Sequence, residues 1–129
     1  MSKEFPSHPI QLIEVNTKKI DAEKFEGEIK NDKININFEP DISYESIDNQ
    51  NFYINFKVKI TTEPQELFRI IIELTGKCLT EEEDYNIEKF AQDYGTGIMW
   101  PYARELVSNI TQRFGFPALV LPTLRVGKK

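Results

Sequence analysis

The stretch Ile98-Met-Trp-Pro-Tyr-Ala-Arg-Glu-Leu-Val-Ser-Asn-Ile-Thr-Gln-Arg-Phe-Gly-Phe116 decides how this chain is read. At about 100° per residue, Met99, Ala103, Leu106, Val107, Ile110 and Phe114 share one face. Arg104, Glu105, Ser108, Asn109 and Gln112 fall on the other, so the spacing predicts an amphipathic helix. Gly115 stands where a left-handed residue ends a helix, and Pro117 prevents its continuation. An extended apolar run, Pro117-Ala-Leu-Val-Leu-Pro122, follows.

Upstream of the helix the period changes from 3.6 to 2. Ile10, Leu12, Ile13, Val15 and Ile20 alternate imperfectly within His8 to Ile20, which predicts a first strand with a parity break near Leu12-Ile13. Glu23 to Asp32 is charged and aperiodic, a surface connection. Ile34, Ile36, Phe38, Ile42 and Tyr44 keep one parity, the pattern of a half-buried strand. Pro40 interrupts it, and because proline donates nothing to a ladder, this strand belongs at an edge or bends there. Asp48-Asn-Gln-Asn51 supplies a turn into Phe52, Ile54, Phe56, Val58 and Ile60, completing a hairpin. After Thr62-Glu-Pro64, Leu67 to Leu79 is apolar at Phe68, Ile70, Ile72 and Leu74 and mixed on the other parity, as a central strand should be. Thr80-Glu-Glu-Glu83 reads as a capping box opening a short helix with Ile87, Phe90, Ala91 and Tyr94, ending at Gly95-Thr-Gly97. The expected architecture is α+β: a four-stranded antiparallel sheet with helices packed on one face, residues 1–129 forming a single domain.

With 129 residues, 40% of them hydrophobic, the chain supports one modest core. Its net charge of -5 opposes a phosphate backbone, so nucleic acid is not an expected partner. No apolar run is long enough to span a bilayer, and Met1 to Pro9 lacks the apolar centre of a secretion signal, so the expectation is a cytosolic protein without membrane insertion. His8 is the only histidine, which excludes a histidine triad or a multi-histidine metal site within one chain. Cys78, the only cysteine, reads as a buried, inert thiol. The acidic run Glu81 to Asp84 lacks the alternating oxygen ligands of a calcium loop, and Gly95-Thr-Gly97 lacks the lysine of a phosphate loop. Neither an enzyme nor a cofactor or metal is expected. What stands out is surplus apolar surface: the helix face, the run Phe116, Leu119, Val120, Leu121 and Leu124, and Tyr53 and Trp100 on less buried parities. Such a surplus fits either a core with a dimer interface or a groove for apolar partners.

Two blocks, Met99-Trp-Pro-Tyr-Ala-Arg-Glu-Leu-Val-Ser108 and Gly115-Phe-Pro-Ala-Leu-Val-Leu-Pro122, resemble the SecB family of protein-export chaperones. That family carries Phe-Pro-Tyr-Ala-Arg-Glu on its main helix and Phe-Pro-x-Leu-x-Leu just after it. Gln11 to Ile20 is similar to the family's first strand, with its Thr-Lys-Asp-Ile neighbourhood, and the resemblance extends in order from Ile10 to Val126. It implies an ATP-independent holdase that binds unfolded precursor polypeptides before translocation, assembled as a homotetramer, a dimer of dimers. It also implies that Tyr102, Ala103, Arg104, Leu106, Val107 and Ile110 build the oligomer. Phe38, Tyr44, Trp100, Phe114, Phe116, Leu119, Leu121 and Leu124 would then border the client groove. Glu23 and Glu73 match the acidic surface that receives the SecA motor, whereas Lys19 stands where the family has an aspartate. Val126-Gly-Lys-Lys129 closes the sequence without a second long helix. The missing C-terminal elements speak for a second reading, a dedicated SecB-like chaperone of one partner such as an antitoxin. A third is an oligomeric adaptor protein with no client.

Overall fold

Strict alternation over twelve or more residues commits each apolar run to a long strand with one buried face. The computed structural model describes residues 10–30, 33–81 and 85–116. Four strands, β1 (Ile10–Lys24), β2 (Asn35–Ser46), β3 (Asn51–Glu63) and β4 (Phe68–Thr80), pair antiparallel in the order β1-β4-β3-β2. The register sets Phe52 opposite Cys78, Phe56 opposite Leu74, Val58 opposite Ile72 and Ile60 opposite Ile70. All of these are buried on one face, and each large apolar side chain removed from water contributes about 1.5–3 kcal/mol.

Pro40 lies on an edge strand, opposite Val58, and the mixed-parity strand β4 is central. The parity break in β1 is a register shift between Leu12 and Glu14. A second shift, between Thr17 and Lys19, leaves no clear trace in the sequence pattern. β1 also continues past its expected end at Ile20, pairing with β4 as far as Lys24 opposite Phe68, and Arg69 on β4 donates to the Glu23 carboxylate at 3.3 Å. The β2–β3 turn is tied by Asp48. Its carboxylate accepts the backbone amides of Gln50 and Asn51 at 2.8 Å each and the Asn51 side-chain amide at 3.0 Å.

With β1 and β2 on opposite edges, their connection must cross the end of the sheet. Gln65, in the β3–β4 loop, holds it there: its amide donates to the Glu28 carbonyl at 2.7 Å and its carbonyl accepts from the Lys30 amide at 2.9 Å. Buried Thr62 braces the same loop, donating to the Gln65 carbonyl and accepting from the Leu67 amide.

The helical part departs from expectation. Among the described residues there is one continuous helix, made of α1 (Ile87–Phe90), a π-helical turn (Ala91–Gly95) and α2 (Thr96–Arg113). Thr96 keeps helical angles, φ -62° and ψ -45°, where a break was expected. Gly95 marks a close approach instead: a Cβ there would lie 2.9 Å from Cγ1 of Ile42. The described helix also begins at Ile87, later than the expected capping box. Thr80 is the buried last residue of β4, and Asn86 caps the helix by accepting from the Lys89 amide. Glu82 and Glu83 lie outside the described residues. The expected C-terminal stop is present, with Gly115 at φ +96°. Lys24 donates to the Phe114 carbonyl at 2.8 Å, satisfying an orphan acceptor at the negative end of the helix dipole.

The Gln50 amide, followed by Asn51, holds the Asp48 carboxyl below its usual value of 3.8. A lowered folded-state value means that the turn's contribution is complete above pH 3.8 and is lost as the pH falls through the lowered value. Asp48→Asn should therefore flatten the acid limb of the stability–pH profile, with little change in slope near pH 7, as read by thermal melts from pH 2 to 7.

Candidate functional site

The helix lies on the apolar face of the sheet with Phe90, Ala91, Gly95, Met99, Ala103, Val107 and Thr111 turned inward. Trp100 is also part of this core. It is 2% exposed and stacks on Phe38 of β2, ring centroids 5.1 Å apart. Trp100, expected to border a groove, fills the space between the helix and the edge strand with its large ring. Ala103 and Val107, expected at an oligomer contact, are fully buried against the chain's own sheet. Tyr102 does face outward, 42% exposed, while Arg104, Leu106 and Ile110 are partly buried. Phe114 and Phe116 are half-buried and tilt onto Phe68, with the Lys24 ammonium 5.4 Å from the Phe116 ring centre. Leu119, Leu121 and Leu124 lie outside the described residues.

Among the described residues, apolar clefts open at the head of the helix. Ile10 and Leu12 of β1, Cys78 of β4, and Phe90, Tyr94 and Ile98 line a cleft of about 320 Å³. Phe90 and Tyr94 also wall an adjoining cleft with Tyr85, Asn86, Lys89 and Asp93. Its rim carries the Lys89–Asp93 ion pair at 3.1 Å. The aromatic rings follow one another, Tyr85 to Phe90 at 6.1 Å and Phe90 to Tyr94 at 5.6 Å. Across the helix, Ile42 and Tyr44 of β2 with Glu88, Ala91 and Gln92 bound a smaller depression, where Tyr44 is 39% exposed. Of the expected groove residues, only Tyr44 lines one of these clefts. Ile10, Leu12, Tyr85, Phe90, Tyr94 and Ile98 are not among the residues expected at a groove. Phe90, Tyr94 and Ile98 have i, i+4, i+8 spacing, but an expected break at Gly95-Thr-Gly97 separated them.

These surfaces can hold apolar side chains, and their chemistry goes no further. Burial pushes the Cys78 thiol up to about 11, so at neutral pH it is protonated and a poor nucleophile. Among the described residues no group of three or more His, Cys, Asp or Glu could hold a metal ion, and no helix is long and apolar enough to cross a membrane. The opposite sheet face is polar, and its charges alternate across strands. The register aligns Asp41, Lys57, Glu73 and Lys19 in one row. Glu23 shares Arg69 with Asp21, so both acidic residues expected to meet a motor have cationic neighbours.

A family model described as preprotein translocase subunit SecB matches residues 14–125. No curated protein matches the chain. Among solved structures it is similar to the Mycobacterium tuberculosis Rv1957 SecB-like chaperone in complex with a ChAD peptide from the Rv1956 HigA1 antitoxin. The TM-score is 0.78 at 17% identity, covering 90% of this chain and 91% of that one. At that identity the likeness shows a common fold.

Deleting a buried indole leaves a cavity, so Trp100→Ala should cost about 3–5 kcal/mol in denaturant unfolding. Tyr44→Ala should cost under about 1 kcal/mol. Equal losses would contradict the placement of Trp100 in the core and Tyr44 at the surface.

Proposed function

The chain belongs to the SecB family, and from that membership and the aromatic-walled cleft at the head of its helix we propose that it is a chaperone that holds unfolded polypeptides without consuming ATP. The cleft lined by Ile10, Leu12, Phe90, Tyr94 and Ile98 is the observation that carries this reading. An unfolded chain offers scattered apolar side chains and unpaired backbone, and this region provides apolar hollows beside sheet edges. One buried anchor gains only about 1.5–3 kcal/mol, whereas micromolar binding needs about 8 kcal/mol. Useful affinity therefore requires several anchors, supplied by several copies of the chain acting on one client.

That requirement is consistent with a homotetramer built as a dimer of dimers. Tyr102 on the helix and Ile13 and Ile20 on β1 are exposed and offer surface for contacts between copies. In the export version of the reading the protein works in the cytoplasm and passes precursors to SecA. The adaptor reading is less well supported, because Phe116 remains half-buried rather than fully packed.

A dedicated chaperone of one antitoxin is the second reading. Two observations favour it: the similar structure contains an antitoxin peptide, and Lys19 and Arg69 offset the acidic residues of the outer sheet face. Pull-down from native extract separates the two, returning a broad set of precursors for an export chaperone and a single partner for a dedicated one.

At stoichiometric amounts and without nucleotide, the protein should suppress aggregation of a denatured client by at least half. Ile98→Asp, which places a charge on the cleft wall, should abolish most of that effect while leaving the far-ultraviolet circular dichroism unchanged. Absence of suppression by the parent protein would overturn the holdase assignment. Light scattering at micromolar concentration should show a tetramer or at least a dimer, and a strict monomer would contradict the assembly.

A further inference from the structure

The π-helical turn Ala91–Gly95 lies between two α-helical stretches, and such a turn holds one residue more than α geometry allows. Residues eight apart in an uninterrupted α-helix point about 80° away from each other, whereas one inserted residue brings them to within about 20°. The turn is thus what lines up Phe90 with Ile98, so that both, with Tyr94, wall the same cleft. Phe90 is 3% exposed and meets the Phe52 ring edge-on, centroids 6.1 Å apart. Ala91 is buried beside it, and Gln92 is exposed.

The same residues have a second way to be helical. If the turn takes ordinary i→i+4 bonds, the head of the helix rotates by about 100° on α2. Each place in the head then passes to the next residue, so that Ala91 stands where Phe90 stood and Gln92 where Ala91 stood. Phe90 leaves the cleft, and the hollow beside Phe52 and Cys78 widens by most of an aromatic ring. Burial of the Gln92 amide and loss of the Phe52 contact disfavour this register. Three features keep the difference small. Asn86 caps the head from within it, accepting from the Lys89 amide, and turns with it. The Lys89–Asp93 ion pair has the i, i+4 spacing that suits an α-helix. Gly95-Thr-Gly97, directly after the bulge, is weak helix-forming sequence in which backbone bonds exchange partners at low cost.

We infer that the π-helical turn is a one-residue ratchet: the π register keeps Phe90 in the cleft, and the α register withdraws it and gives its place to an apolar side chain of a bound polypeptide. The rotation is a property of the helix alone, whereas its coupling to a client rests on the proposed chaperone function. Because only the α register offers the Phe52 ring to a client, binding draws the helix into it.

Two variants of the full-length chain bias the ratchet in opposite directions. Deleting Gln92 removes the surplus residue, so that an ordinary α-helix holds Phe90 in the cleft. Gln92→Ala removes the amide that the α register would bury, leaving alanine at both inner places. Reaction of native Cys78, which lines the cleft and is buried, with N-ethylmaleimide reads the position of Phe90. It should be about threefold faster in Gln92→Ala and no faster than the parent in the deletion. Alanine strengthens a helix, so fraying of the head would make Gln92→Ala react more slowly, and an unchanged or slower rate would overturn the ratchet. Affinity for a denatured client should rise by a similar factor in Gln92→Ala and fall about fivefold on deletion, with neither melting temperature below the parent's. A faster Cys78 reaction in Gln92→Ala with the same client affinity in all three proteins would overturn the coupling while supporting the rotation. If the parent binds no client, the chaperone reading fails and the Cys78 rates still decide the ratchet. Should the deletion not fold, the Gln92→Ala rate decides it.

Discussion

The close approach of one helix to one face of the sheet, made at two glycines, is the contact on which the rest of the molecule depends. A Cβ on Gly76 of β4 would lie 2.9 Å from the sulfur of Met99, and one on Gly95 the same distance from Cγ1 of Ile42. With no side chain at either point, the helix settles low enough for Met99, Ala103 and Val107 to close over the β3 and β4 side chains. The π-helical turn just before Thr96 belongs to the same adjustment, since it inserts one residue and re-aims the helix face toward the sheet.

A single helix about 10–12 Å across cannot cover a four-stranded sheet. Strands about 4.8 Å apart put the edge axes roughly 14 Å from each other before side chains are added. Among the described residues the helix therefore seals β3 and β4 and leaves the margins of the apolar face open. At one margin Ile20 is 46% exposed on β1, and at the other Tyr44 stands beside the helix. The clefts at the helix head follow from this shortfall in coverage. The opposite face is solvated and carries cross-strand charges, which keeps the sheet from stacking through both sides.

Strand number, the edge position of β2 and the central position of β4 were legible in the sequence because they rest on local facts: period-two alternation, a proline without a donor, and a turn carboxylate. The bulge near Ile13 was legible for the same reason. The continuity of the helix was not. Glycines in Gly95-Thr-Gly97 look like a break, and only the position of Ile42, more than fifty residues away in sequence, shows that Gly95 answers a packing need. The burial of Trp100 was not legible because its partner Phe38 is equally distant. The cleft was missed for a related reason, since its walls come from β1, β4 and both sides of the apparent break. The residues expected from the family resemblance divide accordingly: Tyr44 and Tyr102 face outward, Ala103, Val107 and Trp100 face inward, and Phe114 and Phe116 gather at the opposite end of the helix.

Methyl-resolved NMR of the isoleucine-labelled protein, titrated with an unfolded polypeptide, tests most directly whether the cleft receives other chains. Ile10 and Ile98 line the cleft, whereas Ile71 lies on the charged face of the sheet, opposite Asp21 and Lys59. Saturable shifts of the Ile10 and Ile98 methyl signals, with Ile71 unmoved, are the predicted result. Shifts confined to Ile71, with the cleft methyls silent, would contradict the claim that the uncovered margin beside the helix receives other chains.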